Sequence, residues 1–129
     1  MAIRVVRLGS PRAADEGPRF GTVRRPPRGV KKHEFATRNY FDLWLPDLSP
    51  TQELLSWAQA SPWTDARWAT FVRKYRAEMR QPEPARLIGA FALLSKQAEF
   101  SVGCYCEDET RCHRAILREL LIEAGADVR

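Results

Sequence analysis

The run Cys104-Tyr105-Cys106-Glu107-Asp108-Glu109-Thr110-Arg111-Cys112-His113-Arg114 gathers all three cysteines of the chain and one of its two histidines. Thiols and an imidazole at this density suit nucleophilic, redox or soft-metal chemistry. An apolar strand over residues 100–106 leads into the run, and an amphipathic helix beginning near residue 112 leads out of it. In open α/β sheets, ligands bind at that strand-to-helix junction. The spacing places Cys112 in the first turn of the helix. Unpaired backbone N–H groups there, with Arg111 and Arg114 beside it, lower a thiol pKa. Cys112 and His113 are therefore the candidate reactive pair. The plainer alternative makes Cys112 a small residue packing helix against sheet and His113 a hydrogen-bonded first-turn residue.

Two simpler chemistries fit poorly. Cys106 and Arg111 have the Cys-x4-Arg spacing of sulfurtransferase loops, but Glu107, Asp108 and Glu109 would repel the anion such a loop cradles. Acids at a helix start are ordinary dipole partners. Cys104, Cys106, Cys112 and His113 are four soft donors, yet successive helical residues point about 100° apart. No Cys-x2-Cys pair is present. No metal and no cofactor is therefore expected. Arginine forks plus a helix N-terminus make an anion site. The expected ligand-binding set is Cys104, Arg111 and Arg114, joined by Arg24 and Arg28 if the N-terminal segment folds back.

The elements that must position these groups are legible in outline. Residues 2–8 read as a first strand and 20–24 as a second, with a hairpin between them plausible from their order. Residues 9–19 and 25–34 read as exposed loops, the latter stiffened by Pro26 and Pro27. Residues 41–45 alternate like a strand. Ser49 reads as N-cap of a helix reaching about residue 60, with Pro50 first inside it and Gln52 completing a capping box. Trp57 and Trp68 are expected on inward helix faces, as packing rather than stacking residues. Trp68, Phe71, Val72, Tyr75 and Met79 share one face of a helix capped by Thr64. Pro82 and Pro84 end it. Leu87, Ile88, Phe91 and Leu94 mark the next helix, and Ile116 to Ala124 the last, closed by Gly125. Residues 126–129 could begin a final strand. Alternating strand and helix signals give an α/β class: a small, mostly parallel sheet with helices packed on its faces, in one domain over residues 1–129.

Hydrophobic residues make up 44% of the 129 positions, enough for one packed core. No apolar run approaches the ~20 residues of a membrane span, and residues 1–7 lack the apolar core of a signal peptide. Three cysteines, two of them one residue apart, are not a secreted disulfide framework. A cytoplasmic location without membrane contact is expected. Net charge is +5, but residues 1–40 hold ten Lys/Arg against three Asp/Glu. That asymmetry suggests an anionic partner. A small anionic ligand, a nucleotide or phosphorylated metabolite, is the leading reading. The alternatives are a nucleic-acid-binding accessory protein using Arg25, Lys31 and Lys32, and a structural or interaction domain with inert cysteines. Oligomeric state is not legible.

Several spans, taken in order, carry a resemblance. They are Arg7-Leu8-Gly9-Ser10-Pro11, Pro27-Arg28-Gly29-Val30-Lys31-Lys32, Trp44-Leu45-Pro46-Asp47-Leu48-Ser49-Pro50, Trp68 with Phe71-Val72-Arg73-Lys74-Tyr75-Arg76, and Cys112-His113-Arg114. Together they resemble the bacterial domain of unknown function 488 family, in its YeaO-like branch, over residues 3–125. The resemblance implies a small cytoplasmic α/β domain and no established activity. Cys104 and Cys112-His113-Arg114 match the family's strand-end Cys and its Cys-His-Arg. Arg24, Pro27, Arg28 and Gly29 match its Asp-Arg-Leu-Trp-Pro-Arg-Gly run. Val23 stands where that run usually has Asp, and Pro26 where it has Trp.

Overall fold

A computed structural model describes residues 1–129. Its strands are β1 (Ile3–Arg7), β2 (Arg19–Gly21), β3 (Leu43–Trp44) and β4 (Phe100–Cys104). Its helices are α1 (Gln52–Gln59), α2 (Asp65–Met79), α3 (Pro82–Leu94) and α4 (His113–Glu123). All strand pairs are parallel, in the order β1-β4-β2-β3. The fold is α/β, and no helix is long and apolar enough to cross a membrane.

β1 and β2 do not form a hairpin. The apolar run of β4, buried at every position, inserts between them. A strand flanked on both edges satisfies its backbone on both sides and belongs at the sheet centre. The register sets Ile3 opposite Phe100, Val5 opposite Val102, and Phe20 opposite Val102. These residues share one face and pack with Leu54, Phe71, Tyr75, Ile88, Phe91, Ile116, Leu117 and Leu121 of the helices in the main core. Phe20, Phe91 and Phe100 contact one another edge-on or tilted, with centroids 5.1–6.0 Å apart.

Because β4 separates β1 from β2, residues 8–18 must cross it. Glu16 and Arg19 are therefore buried, although the segment reads as a polar loop. Gly17, at φ 75°, lies against the Glu99 carbonyl at the start of β4, where a Cβ would collide. Gly17→Ala is expected to destabilise the fold by about 1–3 kcal/mol from the left-handed backbone alone, and the backbone clash adds to that. Thermal unfolding would show it; an unchanged midpoint would mean that the crossover does not pack there.

Local signals differ from expectation in three places. α1 is capped by Thr51 rather than Ser49: its hydroxyl accepts from the Leu54 N–H, and Glu78 of α2 accepts from both the Thr51 N–H and hydroxyl. Pro82 begins α3 at its first turn, where a missing N–H costs nothing. The prolines thus open a helix as well as close one. The strand expected over 41–45 is only Leu43–Trp44. Gly125, at φ 97°, ends α4 as expected, with the Ala126 N–H donating to Leu121. Val128 makes an isolated parallel bridge to Ile3. Trp57 is half-buried beneath the Arg67 guanidinium, 4.2 Å from its ring centre. Trp68 stacks on Phe71, and Phe71 on Tyr75, whose ring lies 5.6 Å from that of His113.

Candidate functional site: three thiols beside an arginine-lined cavity

β4 delivers Cys104 at its C-terminal end, and the chain turns immediately, leaving Cys106 exposed. Asp108 shapes the return by accepting from the Thr110 N–H and hydroxyl at 3.0 and 2.6 Å. Cys112 is the N-cap of α4, with extended backbone at φ −128°, ψ 147°. It is not a first-turn residue, so the helical 100° divergence does not separate it from its neighbours. The three sulfurs converge: all lie within 4.8 Å of one another, and the Cys104 and Cys106 Sγ atoms are 3.6 Å apart. Leu8, Val23 and Phe41 enclose Cys104 and Cys112 in a second, small apolar cluster.

The environment separates the thiols. The Cys104 and Cys112 S–H groups can both donate to a thiolate at Cys106, and the Arg114 charge adds to them. Against the cost of burial, these effects hold Cys106 well below an ordinary thiol, at about 3. The Cys106 thiolate in turn pushes Cys104 up to about 11, and Cys112 rises well above the usual range through hydrogen bonding first with Cys104 and then with Cys106, with burial adding to it. Within the cluster the thiolate is thus favoured on the exposed member, Cys106. Cys112, expected as the reactive thiol, is 2% exposed and stays protonated. The accessible thiolate is on Cys106.

His113 is buried, and its Nε2 lies 2.7 Å from the Thr22 carbonyl. A carbonyl only accepts, so Nε2 carries the proton and the Nδ1 lone pair is left 3.9 Å from the Cys112 Sγ. Thr22 is itself tied to β4 through its hydroxyl, which donates to the Gly103 carbonyl at 2.9 Å. Burial pushes His113 down to about 4, so the ring is neutral at physiological pH. Arg114 is also buried, and its Nη2 donates to the Cys106 carbonyl at 2.9 Å.

A cavity of about 600 Å³ opens beside the thiols. Arg24, Arg25 and Arg28 line it opposite Cys104, Cys106 and His113, and Ser49, Gln52 and Gln59 add polar groups. Arg24 donates to the carbonyls of Pro46, Ser49 and Pro50, which fixes its guanidinium against the turn before α1. Arg25 donates to the Gln52 side chain. The residues expected to meet are thus partly brought together: Arg24, Arg28, Cys104 and His113 share the cavity wall. Arg111 does not reach it. It pairs with Asp65 of α2 at 2.8 Å, above the Trp68 ring. Arg114 lies behind the wall, at the Cys106 backbone.

The family model described as the active DUF488-N3 subclade matches residues 3–125. The chain belongs to the DUF488 family. No curated protein and no solved structure matches it. Sequence reasoning left Cys106, Arg25, Gln52 and Thr22 out of the candidate site of this DUF488 domain. Cys106 carried a signal, two residues beyond Cys104 with no helix between them. Thr22 and Gln52 carried none, because their roles depend on β2 lying beside β4 and on where α1 begins.

Proposed function

We propose that this DUF488 chain binds a small anionic ligand, of the nucleotide or phosphorylated-metabolite class, in the cavity beside the three thiols. One observation carries the reading: three guanidinium groups line the cavity, against no carboxylate and the single Cys106 thiolate. Its volume falls in the range of small-ligand sites. The Arg28 side chain has no acidic partner and is exposed, so its donors are available to a phosphate. The nucleic-acid reading has less to draw on. Arg4, Arg12 and Arg19, all in the basic third, are committed to Asp15, Asp42 and Glu16. Three free thiols, one of them exposed, suit the reducing cytoplasm.

Calorimetric titration with pyrophosphate and AMP tests the reading. Arg28→Ala is expected to weaken binding about 10- to 100-fold, the worth of a charge-assisted contact. A Lys31→Ala/Lys32→Ala pair, outside the cavity wall, is expected to leave it unchanged. Wild-type protein that binds neither probe overturns the proposal. Affinity for single-stranded oligonucleotides that falls steeply with salt and depends on Lys31 and Lys32 favours the nucleic-acid reading instead.

A further inference from the structure

We propose that Cys104, Cys106 and Cys112 form a binding site for a soft divalent metal ion of the zinc class, held by three thiolates with its fourth position towards the arginine-lined cavity. The inference stands on the convergence of the sulfurs and does not require the anion reading.

Three sulfurs bound tetrahedrally to zinc, at metal–sulfur distances of about 2.3 Å, lie about 3.8 Å from one another. Here the three Sγ atoms fall within 4.8 Å of one another, and those of Cys104 and Cys106 are 3.6 Å apart. Small side-chain adjustments therefore close the set around an ion. The three come from different local structures: the end of the central strand, the turn after it, and the N-cap of α4. Chain proximity alone explains Cys104 and Cys106, but it does not explain Cys112. Packing of Cys104 and Cys112 among Leu8, Val23 and Phe41 holds two ligands in place beforehand. The exposed third leaves a path for the ion. A buried packing role would need one small residue at such a spot, and a disulfide would use two sulfurs and strand the third.

The surroundings suit the charge. Three thiolates around a divalent ion leave one negative charge, and the buried Arg114 guanidinium is fastened to the Cys106 carbonyl beside it. The Arg114 Nε is buried without a hydrogen-bond partner. His113 braces the set from behind: its Nε2 donates to the Thr22 carbonyl and its Nδ1 lies 3.9 Å from the Cys112 Sγ. It stays outside the ligand set, and Cys104 and Cys106, which line the cavity, place the open side of the ion there. An anion entering between the arginines would meet the metal there. Zinc and cobalt(II) accept such sulfur-rich sites with a fourth, exchangeable ligand.

Cobalt(II) titration of reduced, chelator-treated full-length protein tests the site. One equivalent is expected to produce intense thiolate-to-cobalt charge transfer in the near ultraviolet and the strong visible bands of a tetrahedral ion. One equivalent of zinc(II) should abolish them. Cys106→Ser, at an exposed position that leaves the core intact, should weaken cobalt affinity by at least about 100-fold, the upper end of what even an outer-shell loss costs. Circular dichroism checks that this variant is folded. Added thiocyanate should shift the visible bands by occupying the fourth position; unmoved bands would overturn the open position. Arg28→Ala should keep the bands, so failure of anion binding and failure of the metal site are told apart. Reduced wild-type protein that shows no charge transfer, or a folded Cys106→Ser variant with wild-type affinity, overturns the proposal.

Discussion

Glu16→Ala is expected to destabilise the protein by about 3–5 kcal/mol, the usual result of stranding one member of a buried ion pair. In a domain of this size that lowers the unfolding midpoint by about 10–20 °C. The Glu16 carboxylate accepts from Arg19 Nε at 2.7 Å, Arg19 Nη2 at 2.9 Å and the Ser101 hydroxyl at 2.7 Å. Arg19 is fully buried, and its Nη1 donates to the carbonyls of Ser10 and Asn39. Removing Glu16 leaves that guanidinium in place without its counter-charge. A Glu16→Leu/Arg19→Met pair should be less destabilised than Glu16→Ala, because neither charge is then left alone. Chemical denaturation of the three proteins checks both statements, and a Glu16→Ala loss below about 1 kcal/mol contradicts the burial argument.

The same pair gives an acid dependence. Burial pushes the Glu16 carboxyl up, but the Arg19 and Ser101 hydrogen bonds and the Arg19 charge outweigh it and hold the group at about 2, against 4.5 in the unfolded chain. The folded state therefore binds this proton less readily than the unfolded state. Its stabilisation, about 3 kcal/mol, is complete above pH 4.5 and disappears as pH falls towards 2. Glu16→Ala should lack this component, so the stability gap between wild type and variant narrows across that window.

Chelator-treated, reduced protein is expected to have one thiol that reacts readily with a disulfide reagent, and peptide mapping should place it on Cys106. Cys104 and Cys112 are 6% and 2% exposed and should react only as the structure opens. The rate at Cys106 should be nearly level between pH 5 and 7, because the neighbouring S–H groups keep it a thiolate throughout. An ordinary thiol speeds up about 100-fold over that range. A low-pKa thiolate is intrinsically weaker, with a Brønsted slope of about 0.4–0.5, so much of its advantage in ionisation is lost. The net expectation is about tenfold faster reaction than an exposed reference thiol at pH 5, parity near pH 6, and about tenfold slower reaction at pH 7. Cys112→Ser replaces one sulfur of the set and should restore part of the ordinary pH dependence. First labelling at Cys112 would contradict the geometry, and a tenfold rise per pH unit at Cys106 would contradict the charge assignment.

The elements whose signals are local were legible. Trp68, Phe71, Val72, Tyr75 and Met79 lie along α2, where Phe71, Tyr75 and Met79 are buried. Gly125 closes α4, and residues 100–104 form a fully buried strand. Propensity and periodicity act within a few residues, and the chain carries them wherever it folds. Strand neighbours were not legible. Periodicity along residues 2–8 and 20–24 says that both are extended, but nothing in it says that a strand some eighty positions later will separate them. Helix boundaries slipped where a tertiary partner decided them, as at Thr51, whose cap is completed by Glu78.

The candidate site divides in the same way. Residue types and order alone determined that the thiols, His113 and Arg114 gather at a strand-to-helix junction, and that positive charge concentrates in the first third of the chain. Tertiary structure decided which of them meet. The parallel placement of β2 beside β4 brings Arg24, Arg25 and Arg28 to the cavity and Thr22 to His113, while Arg111 is drawn away by Asp65. Helical geometry at residues 112–113 would hold Cys112 and His113 apart, but Cys112 lies before the helix. Its extended N-cap backbone turns the sulfur back towards Cys104 and Cys106. Backbone angles at a helix boundary depend on what the adjoining loop must span, and that distance is fixed only when the sheet is assembled.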